Sequence, residues 1–186
     1  MVDNERRINL VAVGDESAGK SCLLISCCNN EFPTTYVPTI FENYSTEWEV
    51  DSRKVQLTLW DTAGQEASDE MRAVAYPNAD VFLLCFSLVD KVSLANVQHK
   101  WVPDLRHKDS GWKEVPILLV GLKKDLREEN PQDAIDVTTN FAFENASSLI
   151  NLGFGTSLRS DIFFQTEQGI EVANKISAVG YVSIVM

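Results

Sequence analysis

Short apolar runs alternate along the chain with segments of helical periodicity. Four runs rich in Val, Ile, Leu and Phe are bounded by turn residues, a pattern typical of strands buried on both faces of a parallel sheet. These runs are Ile8–Val13, Val81–Phe86, Ile117–Val120 and Tyr181–Val185. Two further segments, Ser45–Val50 and Val55–Leu59, are joined by Asp51–Lys54 and predict an antiparallel hairpin at the edge of the sheet.

Apolar residues at helical spacing fill the intervals between the strands. The three predicted stripes are Leu23, Leu24, Cys27 and Cys28; then Leu94, Val97, Trp101 and Leu105, with a kink near Pro103; then Ile170, Ala173 and Ile176. Alternating strands and helices predict an α/β fold of three layers, with a mostly parallel sheet. Ligands of such sheets bind at the carboxyl ends of the strands, where Gly14 and Asp61 lie.

The bulk properties narrow the class of protein. A chain of 186 residues with 45% apolar content predicts one domain spanning residues 1–186. The net charge of −11 argues against nucleic-acid partners and against a polybasic membrane patch. No run has the length of a membrane span, and Met1–Arg7 is too polar for a signal peptide. We therefore expect a cytoplasmic protein, and we expect a monomer.

Neither the cysteines nor the histidines show metal-ligand spacing. Cys22, Cys27, Cys28 and Cys85 lie in apolar segments without a C-x-x-C pattern, which predicts reduced thiols in the core. The two histidines, His99 and His107, are expected to be solvated helix residues.

The segment Gly14–Ser21 matches the phosphate-binding pattern G-x-x-x-x-G-K-[ST] and directly follows a predicted strand. Backbone N–H groups of such a loop, together with the start of the next helix, converge on an anion. The predicted phosphate-binding residues are Gly14, Glu16, Ser17, Ala18, Gly19, Lys20, Ser21 and Cys22. Lys20 would neutralise charge between the outer phosphates, and the Ser21 hydroxyl would bind Mg²⁺. The alternative is a chance Gly/Ser loop before an ordinary helix.

A second acidic motif follows the hairpin, with the sequence D-T-A-G-Q-E at residues 61–66. Asp61, at the end of a strand, could bind the Mg²⁺ shell opposite Ser21. Gly64 could present its amide to a γ-phosphate, and Gln65 could orient an attacking water. The pattern D-x-x-G is weak alone, because Asp and Gly are common in turns. It is strong after a phosphate loop and a hairpin.

Taken together, these parts resemble a Rho-family small GTPase of the Ras superfamily. The resemblance rests on Y-V-P-T-I-F-E-N-Y at residues 36–44, the D-T-A-G-Q-E motif, and K-K-D at residues 123–125. It is nearly continuous from Ile8 to Arg127 and resumes at Glu167–Tyr181. The implied fold is that of a P-loop NTPase, with the antiparallel hairpin at the sheet edge.

The resemblance implies a switch that binds GTP and GDP with Mg²⁺. Thr39 would reach both Mg²⁺ and the γ-phosphate, so the implied metal ligands are Ser21, Thr39 and Asp61 and the implied catalytic residues are Gln65, Lys20 and Thr39. Phe32 would pack on the guanine and Tyr36 would close over the phosphates. Asp125 would accept from the guanine N1–H and 2-amino group, with the Lys123 stem along the base. The spacing of Lys123, Lys124 and Asp125 is the one expected for binding a guanine nucleotide and not ATP.

The implied partners are effector proteins, bound through two switches at residues 35–44 and 61–77, and exchange factors. Val37, Phe41 and Tyr44 would form the effector surface, although simple packing is the alternative for each. In the second switch Ala67, Ser68 and Glu70 replace residues that contact regulators in relatives. Signalling to the cytoskeleton is a property of the family and not of these residues.

Two substitutions depart from the family pattern at the nucleotide site. Glu16 replaces a glycine of the phosphate loop, where its side chain would obstruct the water placed by Gln65 and any arginine from an activating protein. This predicts slow GTP hydrolysis. Leu122 replaces the Asn or Thr that precedes the lysine of the guanine motif. Losing its hydrogen bonds is expected to weaken nucleotide binding by about 1–3 kcal/mol.

The last third of the chain departs further. Its final residues, Tyr181–Met186, stop where the family continues into a Ser-Ala-Lys loop and a last helix, so we expect that helix and any C-a-a-X lipid anchor to be absent. Membrane association is implied only by the family. An enlarged insert at about residues 128–167 is rich in Phe, Leu and Ile. We expect it to cover the sheet or to dock on a partner; a poorly ordered insertion is the alternative.

Three functions remain open from the sequence. The first is a Rho-like switch with weak hydrolysis. The second is a nucleotide-poor pseudo-GTPase that acts as a protein-interaction module. The third is a truncated product that does not fold alone. Intact Lys20, Thr39, Asp61, Gln65 and Asp125 favour the switch, whereas Glu16, Leu122 and the ending favour the others.

Overall fold

One six-stranded sheet organises the chain. The computed structural model describes residues 6–33, 41–50, 53–64, 72, 74–106, 115–129, 172–178 and 180–184. The strands are β1 (Arg6–Gly14), β2 (Phe41–Val50), β3 (Arg53–Thr62), β4 (Val81–Ser87), β5 (Ile117–Leu122) and β6 (Gly180–Ser183). Their order across the sheet is β2-β3-β1-β4-β5-β6.

The pairing pattern confirms the predicted α/β fold with a mostly parallel sheet. Strand β1 is parallel to β3 and β4, and β5 is parallel to β4 and β6. Among the strands of the described residues, only the edge strand β2 is antiparallel, paired with β3. The hairpin is longer than its sequence pattern indicated, because β2 begins at Phe41 and Val50 pairs with Arg53. Arg53 and Lys54 therefore belong to β3 and not to the connection.

The helices lie between the strands as the periodicity predicted. They are α1 (Lys20–Asn29), α2 (Lys91–Asn96), α3 (Val102–Leu105) and α4 (Lys124–Glu129), with a 3₁₀ turn at Tyr76–Asn78 and helical residues at 172–175. Asp90 caps α2, because its carboxylate Oδ1 accepts from the amides of Val92 at 2.9 Å and Ser93 at 3.3 Å.

The irregularity predicted near Pro103 is a π turn. Residues Val97–Trp101 form this turn between α2 and α3, and the Val102 amide bonds to the Val97 carbonyl five residues earlier. Pro103 stands in the first turn of α3, where its missing N–H removes one regular helical bond. The helix therefore changes its winding just before the proline instead of bending at it.

Two apolar clusters lie on opposite faces of the sheet, as a three-layer fold requires. The first contains residues of α2, the π turn and the 172–176 segment, packed on Val11, Val13, Phe82, Leu84, Phe86, Leu119 and Tyr181. The second contains Leu23 and Leu24 of α1, packed on Leu10, Ala12, Leu57, Leu59, Leu83, Cys85, Val120 and Leu122. Adjacent residues of one strand enter different clusters, so the strands are apolar on both faces.

The cysteines are free thiols as predicted, but they are not all in the core. Cys85 is buried, and Cys22, Cys27 and Cys28 are half-buried, each as a free thiol. Within the described ranges, no helix has the length and apolar content to cross a bilayer. Ile170 of the third predicted stripe and residues 130–167 of the enlarged insert lie outside the described residues.

Candidate functional site

The phosphate loop, which follows β1, and the Asp61 motif, at the end of β3, lie at the same end of the sheet. Ala12 of β1 pairs with Asp61 of β3, and Gly14 pairs with Cys85 of β4. Gly14 has φ of 141°, and a Cβ there would lie 2.1 Å from the Cys85 carbonyl oxygen. Only glycine fits this position, because both the backbone conformation and the space exclude a side chain. The loop therefore leaves the sheet tightly against β4.

The loop turns back toward α1 through backbone conformations that favour glycine or a small polar residue. Ser17 has φ of 59° and Gly19 has φ of 110°, and the Ala18 amide donates to the Asp15 carbonyl at 3.3 Å. Within the described residues, no side chain caps the start of α1 and none in its first turn is acidic. The donors and positive dipole end of this ten-residue helix thus face the loop, as an anion site requires.

Lys20 lies buried beneath the loop. Its Nζ donates to the carbonyls of Gly14 at 2.9 Å and Asp15 at 2.8 Å. Burial lowers the pKa of the Lys20 ammonium, and the charges of Cys85, Asp61 and Asp15 oppose this shift. A buried cation held by two loop carbonyls is placed to neutralise an anion bound in the loop.

Asp61 stands fully buried at the end of β3. Its charge acts to raise the pKa of Lys20 and of Cys22, so the carboxylate lies close to the loop and to the first turn of α1. Ser21, in that turn, is half-buried. Carboxylate and hydroxyl oxygens are the ligands that Mg²⁺ takes. Thr39, the third residue of the predicted metal set, lies outside the described residues, and those described contain no cluster of three His, Cys, Asp or Glu side chains.

Gly64 packs directly on the backbone of the phosphate loop. A Cβ at this position would lie 2.3 Å from the Glu16 amide nitrogen, 2.5 Å from the Asp15 carbonyl carbon and 2.7 Å from the Gly14 oxygen. The segment that follows Asp61 thus reaches the loop at the residue predicted to sense a γ-phosphate. Glu16 is exposed at this contact.

The remaining predicted residues of the switches and of the nucleotide site divide into two groups. Gln65, Thr39, Tyr36 and Val37 lie outside the described residues. Tyr44 lies half-buried on β2, where its hydroxyl donates to the Glu42 carboxylate, and burial raises the pKa of this phenol. Phe32 is 53% exposed, so its ring has a free face at the end of the α1 segment.

The predicted base-binding residues follow β5. Lys123 has φ of 62°, and Asp125 lies in the first turn of α4. The Asp125 Oδ1 atom is buried and accepts no hydrogen bond from the described residues. Buried carboxylate oxygens normally have donors, so this oxygen without one makes Asp125 a candidate acceptor for N–H groups of a ligand. Leu122 is fully buried in the second apolar cluster, and its carbonyl accepts from the Leu88 amide at 2.8 Å.

The phosphate-loop motif treats Asp15 as a variable position, but the structure gives its carboxylate two strong partners. Asn96 Nδ2 donates to Oδ2 at 2.7 Å, and Trp101 Nε1 donates to Oδ1 at 2.7 Å. The signal that could have found this bond is the position of Trp101 in an apolar stripe, because a buried indole N–H needs an acceptor. Sequence spacing alone does not show which acceptor it meets.

The sheet order, the loop and the carboxylates define a P-loop nucleotide-binding protein. Residues 9–182 match the Ras family. The chain therefore belongs to the Ras family of small GTPases, which are GTP-binding switches. Members of this family bind GTP and GDP with Mg²⁺.

Proposed function

We propose that this chain is a Rho-type switch that binds GTP or GDP with Mg²⁺, hydrolyses GTP slowly and presents its GTP state to effector proteins. The observation that carries the proposal is the buried Lys20 ammonium, held against the loop carbonyls beside Asp61. A buried cation next to an uncapped helix start is an arrangement suited to a polyphosphate.

Each residue has a distinct role in this proposal. The loop amides and Lys20 bind the phosphates, while Ser21 and Asp61, together with Thr39, hold Mg²⁺. When bound, that cation neutralises charge on the outer phosphates. Gly64 contacts the γ-phosphate through its amide, and Gln65 orients the attacking water. Phe32, Tyr36 and Lys123 enclose the nucleotide.

Guanine selectivity is assigned to Asp125. Its buried Oδ1 offers an acceptor to the donors of guanine, and adenine lacks that pair of donors. Leu122, turned into the apolar core, contributes no hydrogen bond from its side chain. We therefore expect guanine binding that is selective but weaker than a complete motif would give.

Slow hydrolysis is assigned to Glu16. Its backbone lies where Gly64 meets the loop, so its exposed side chain projects from the place where the water and an activating arginine would act. An arginine of that kind is worth roughly 10³ to 10⁵ in rate. We expect little stimulation by an activating protein, so the state of the switch would depend on nucleotide exchange.

The Rho type and the effector surface are supported by the sequence of residues 36–44, which extends into β2 at the edge of the sheet. An edge strand of this kind leaves one side open to a partner. Effectors are expected to bind residues 35–44 and 61–77, and exchange factors the second of these segments. We propose a single domain over residues 1–186, with the apolar insert at 128–167 as a cover for the sheet or a docking segment.

A pseudo-GTPase that works as an interaction module is the second candidate. It is favoured by the buried Leu122 and by the acidic Glu16 in the phosphate loop. Like charges about 4 Å apart repel by about 4 kcal/mol at an effective dielectric near 20, which opposes triphosphate binding.

Nucleotide release separates the two candidates. The chain is purified without added nucleotide and denatured, and the supernatant is analysed by ion-exchange chromatography. Stoichiometric GDP or GTP supports the switch, and none supports the module. Lys20→Ala is expected to abolish the released nucleotide. The control Lys91→Ala, an exposed lysine at the start of α2, is expected to retain it.

A further inference from the structure

A chain of contacts joins the phosphate loop to the segment that carries Gly64. It begins at Asp15, whose carboxylate accepts from Asn96 and Trp101 at 2.7 Å each. Because both donors belong to one helical segment, the loop is fixed to the helix on the first-cluster face of the sheet. Charge-assisted bonds of this length are stronger than neutral ones.

The π turn is what places both donors on Asp15. Residues five positions apart in a regular α-helix are separated by about 140° around the axis, so Asn96 and Trp101 would diverge. In the turn at Val97–Trp101 the Val102 amide bonds to the Val97 carbonyl five positions earlier, and this wider winding brings Asn96 and Trp101 closer together around the helix axis. Single π turns occur often at functional sites, and this one faces the nucleotide loop.

Arg72 continues this series of contacts from Trp101. Its guanidinium lies 5.0 Å from the centroid of the fully buried Trp101 ring, and its Nη1 donates to the Ala63 carbonyl at 2.9 Å. Arg72 is itself only 2% exposed, so the cation is shielded from water and its contacts are correspondingly stronger. Ala63 directly precedes Gly64, whose backbone packs against the phosphate loop.

Asp104 anchors the far end of this network. Its Oδ2 lies 3.8 Å from Arg72 Nε and accepts from the Tyr76 hydroxyl at 2.8 Å. The guanidinium is therefore held between the Trp101 ring, the Ala63 carbonyl and a carboxylate on α3. A displacement of Gly64 must move Ala63, and with it the Arg72 contact to Trp101.

We propose that Asp15, Trp101 and Arg72 are positioning residues that couple the phosphate loop to the Ala63–Gly64 segment, and thereby set how strongly the chain distinguishes GTP from GDP. This inference rests on the proposed nucleotide switch. The coupling has a definite direction of action: the loop bond fixes Trp101, Trp101 fixes Arg72, and Arg72 fixes the carbonyl before Gly64. None of the three residues needs to touch the nucleotide through its side chain.

The test compares affinities for GDP and for a non-hydrolysable GTP analogue, both with Mg²⁺, by calorimetry. Trp101→Phe keeps the ring but removes the donor to Asp15, and Arg72→Lys keeps the charge but removes the fork. Each is expected to change the ratio of the two dissociation constants by about 5- to 50-fold, which lies within the range of ordinary coupling energies. Lys91→Gln is the control, because Lys91 is an exposed lysine at the start of α2 and is not one of the residues in the contacts described from Asp15 to Ala63.

A double-mutant cycle distinguishes coupling between these residues from a general loss of stability. Asp15→Asn and Arg72→Lys change residues at opposite ends of the chain of contacts, so independent effects on the affinity ratio would add. We expect the double variant to resemble the stronger single variant. Additive effects, or a ratio within twofold of wild type in every variant while the melting temperature falls, would overturn the proposal and leave a structural role only.

A spectroscopic readout does not depend on hydrolysis or on affinity. The Trp101 indole N–H resonance, identified by its loss in Trp101→Phe, is expected to differ between the GDP and GTP-analogue states, and this difference is expected to shrink in Arg72→Lys. Identical resonances in both states of wild type would contradict the coupling. Wild type that binds neither nucleotide would instead overturn the proposed function, so the two failures are distinguishable.

Discussion

The two halves of the proposed nucleotide site, the phosphate side and the base side, differ in how they are built. The phosphate side consists of backbone geometry: Gly14 against the Cys85 carbonyl, Gly64 against the loop, and Lys20 held by two carbonyls. The base side depends on side chains, with Asp125 offering a buried oxygen and Leu122 turned into the core. A substitution at a tightly packed backbone position disturbs the whole loop, whereas a substitution of one base-binding side chain removes one contact and leaves the others. We therefore expect phosphate-side changes to act on the fold and base-side changes to act on affinity.

The largest expected effect is that of Gly14→Ala on the phosphate side. A Cβ would meet the Cys85 carbonyl oxygen at 2.1 Å in a backbone conformation with φ of 141°. Backbone strain and overpacking each cost about 1–3 kcal/mol, so unfolding by urea is expected at clearly lower concentration and nucleotide binding is expected to be lost. Asn29→Ala, exposed in the last turn of α1, serves as the control. Equal stability of the two variants would contradict the role of backbone geometry.

The next largest effect concerns nucleotide affinity on the base side. Asp125→Asn is expected to weaken GDP binding roughly 10- to 100-fold, because a bond to a charged group contributes about 1.5–3 kcal/mol. The asparagine amide presents a donor, so a xanthine nucleotide, with an oxygen at position 2, is expected to bind the variant better than wild type. Titration calorimetry with both nucleotides measures the exchange of preference, with Glu49→Gln on β2 as the control. Unchanged guanine affinity would remove Asp125 from the base site.

A smaller effect is expected at the junction of the phosphate loop and Gly64. Glu16→Gly is expected to increase the single-turnover rate of GTP hydrolysis about tenfold or more, equivalent to at least about 1.4 kcal/mol of barrier. Glu16→Gln removes the charge and keeps the bulk, so a comparable gain in that variant would identify repulsion as the cause. A rate in Glu16→Gly equal to that of wild type would show that this side chain does not limit hydrolysis.

The smallest effect concerns the thiol behind the loop. Burial raises the pKa of Cys85 to about 12 from an ordinary value of 9.0, so the folded protein keeps this proton while the unfolded chain loses it. Stability from this group is therefore complete below pH 9.0 and falls as pH rises from 9.0 toward 12. The decline approaches about 1 kcal/mol per pH unit, opposed in part by Lys20, whose pKa is lowered. Urea unfolding between pH 8 and 10.5 is expected to show a shallower decline in Cys85→Ala; equal slopes would contradict it.

Much of the fold was predictable because its signals are local. Apolar runs such as Val81–Phe86 are typical of strands buried on both faces, and β4 is buried throughout. The phosphate loop carries its own pattern, and its glycines have the backbone conformations that the pattern requires. The early start of β2 at Phe41 was not predicted, because pairing with Thr62 of β3 decides it and not the local sequence.

The rest depends on contacts between distant residues. Asp15 and Trp101 are 86 positions apart, and their hydrogen bond requires both the tight exit of the loop and the π turn. The turn lies just before Pro103, which lacks the N–H of a regular helical bond, and a hydrophobic stripe does not record this change of winding. Arg72 looks in the sequence like an ordinary charged residue, and only the folded chain shows it buried against Trp101.

The most direct test asks whether the folded wild-type chain binds guanine nucleotides. Calorimetric titrations are made with GDP and with a non-hydrolysable GTP analogue, each with Mg²⁺. We expect each guanine nucleotide to give a saturable heat of binding to one site, and ATP to give no heat of binding at the same concentrations. A folded sample that gives no heat of binding with either guanine nucleotide would contradict it, and the chain would then be a scaffold for protein contacts alone.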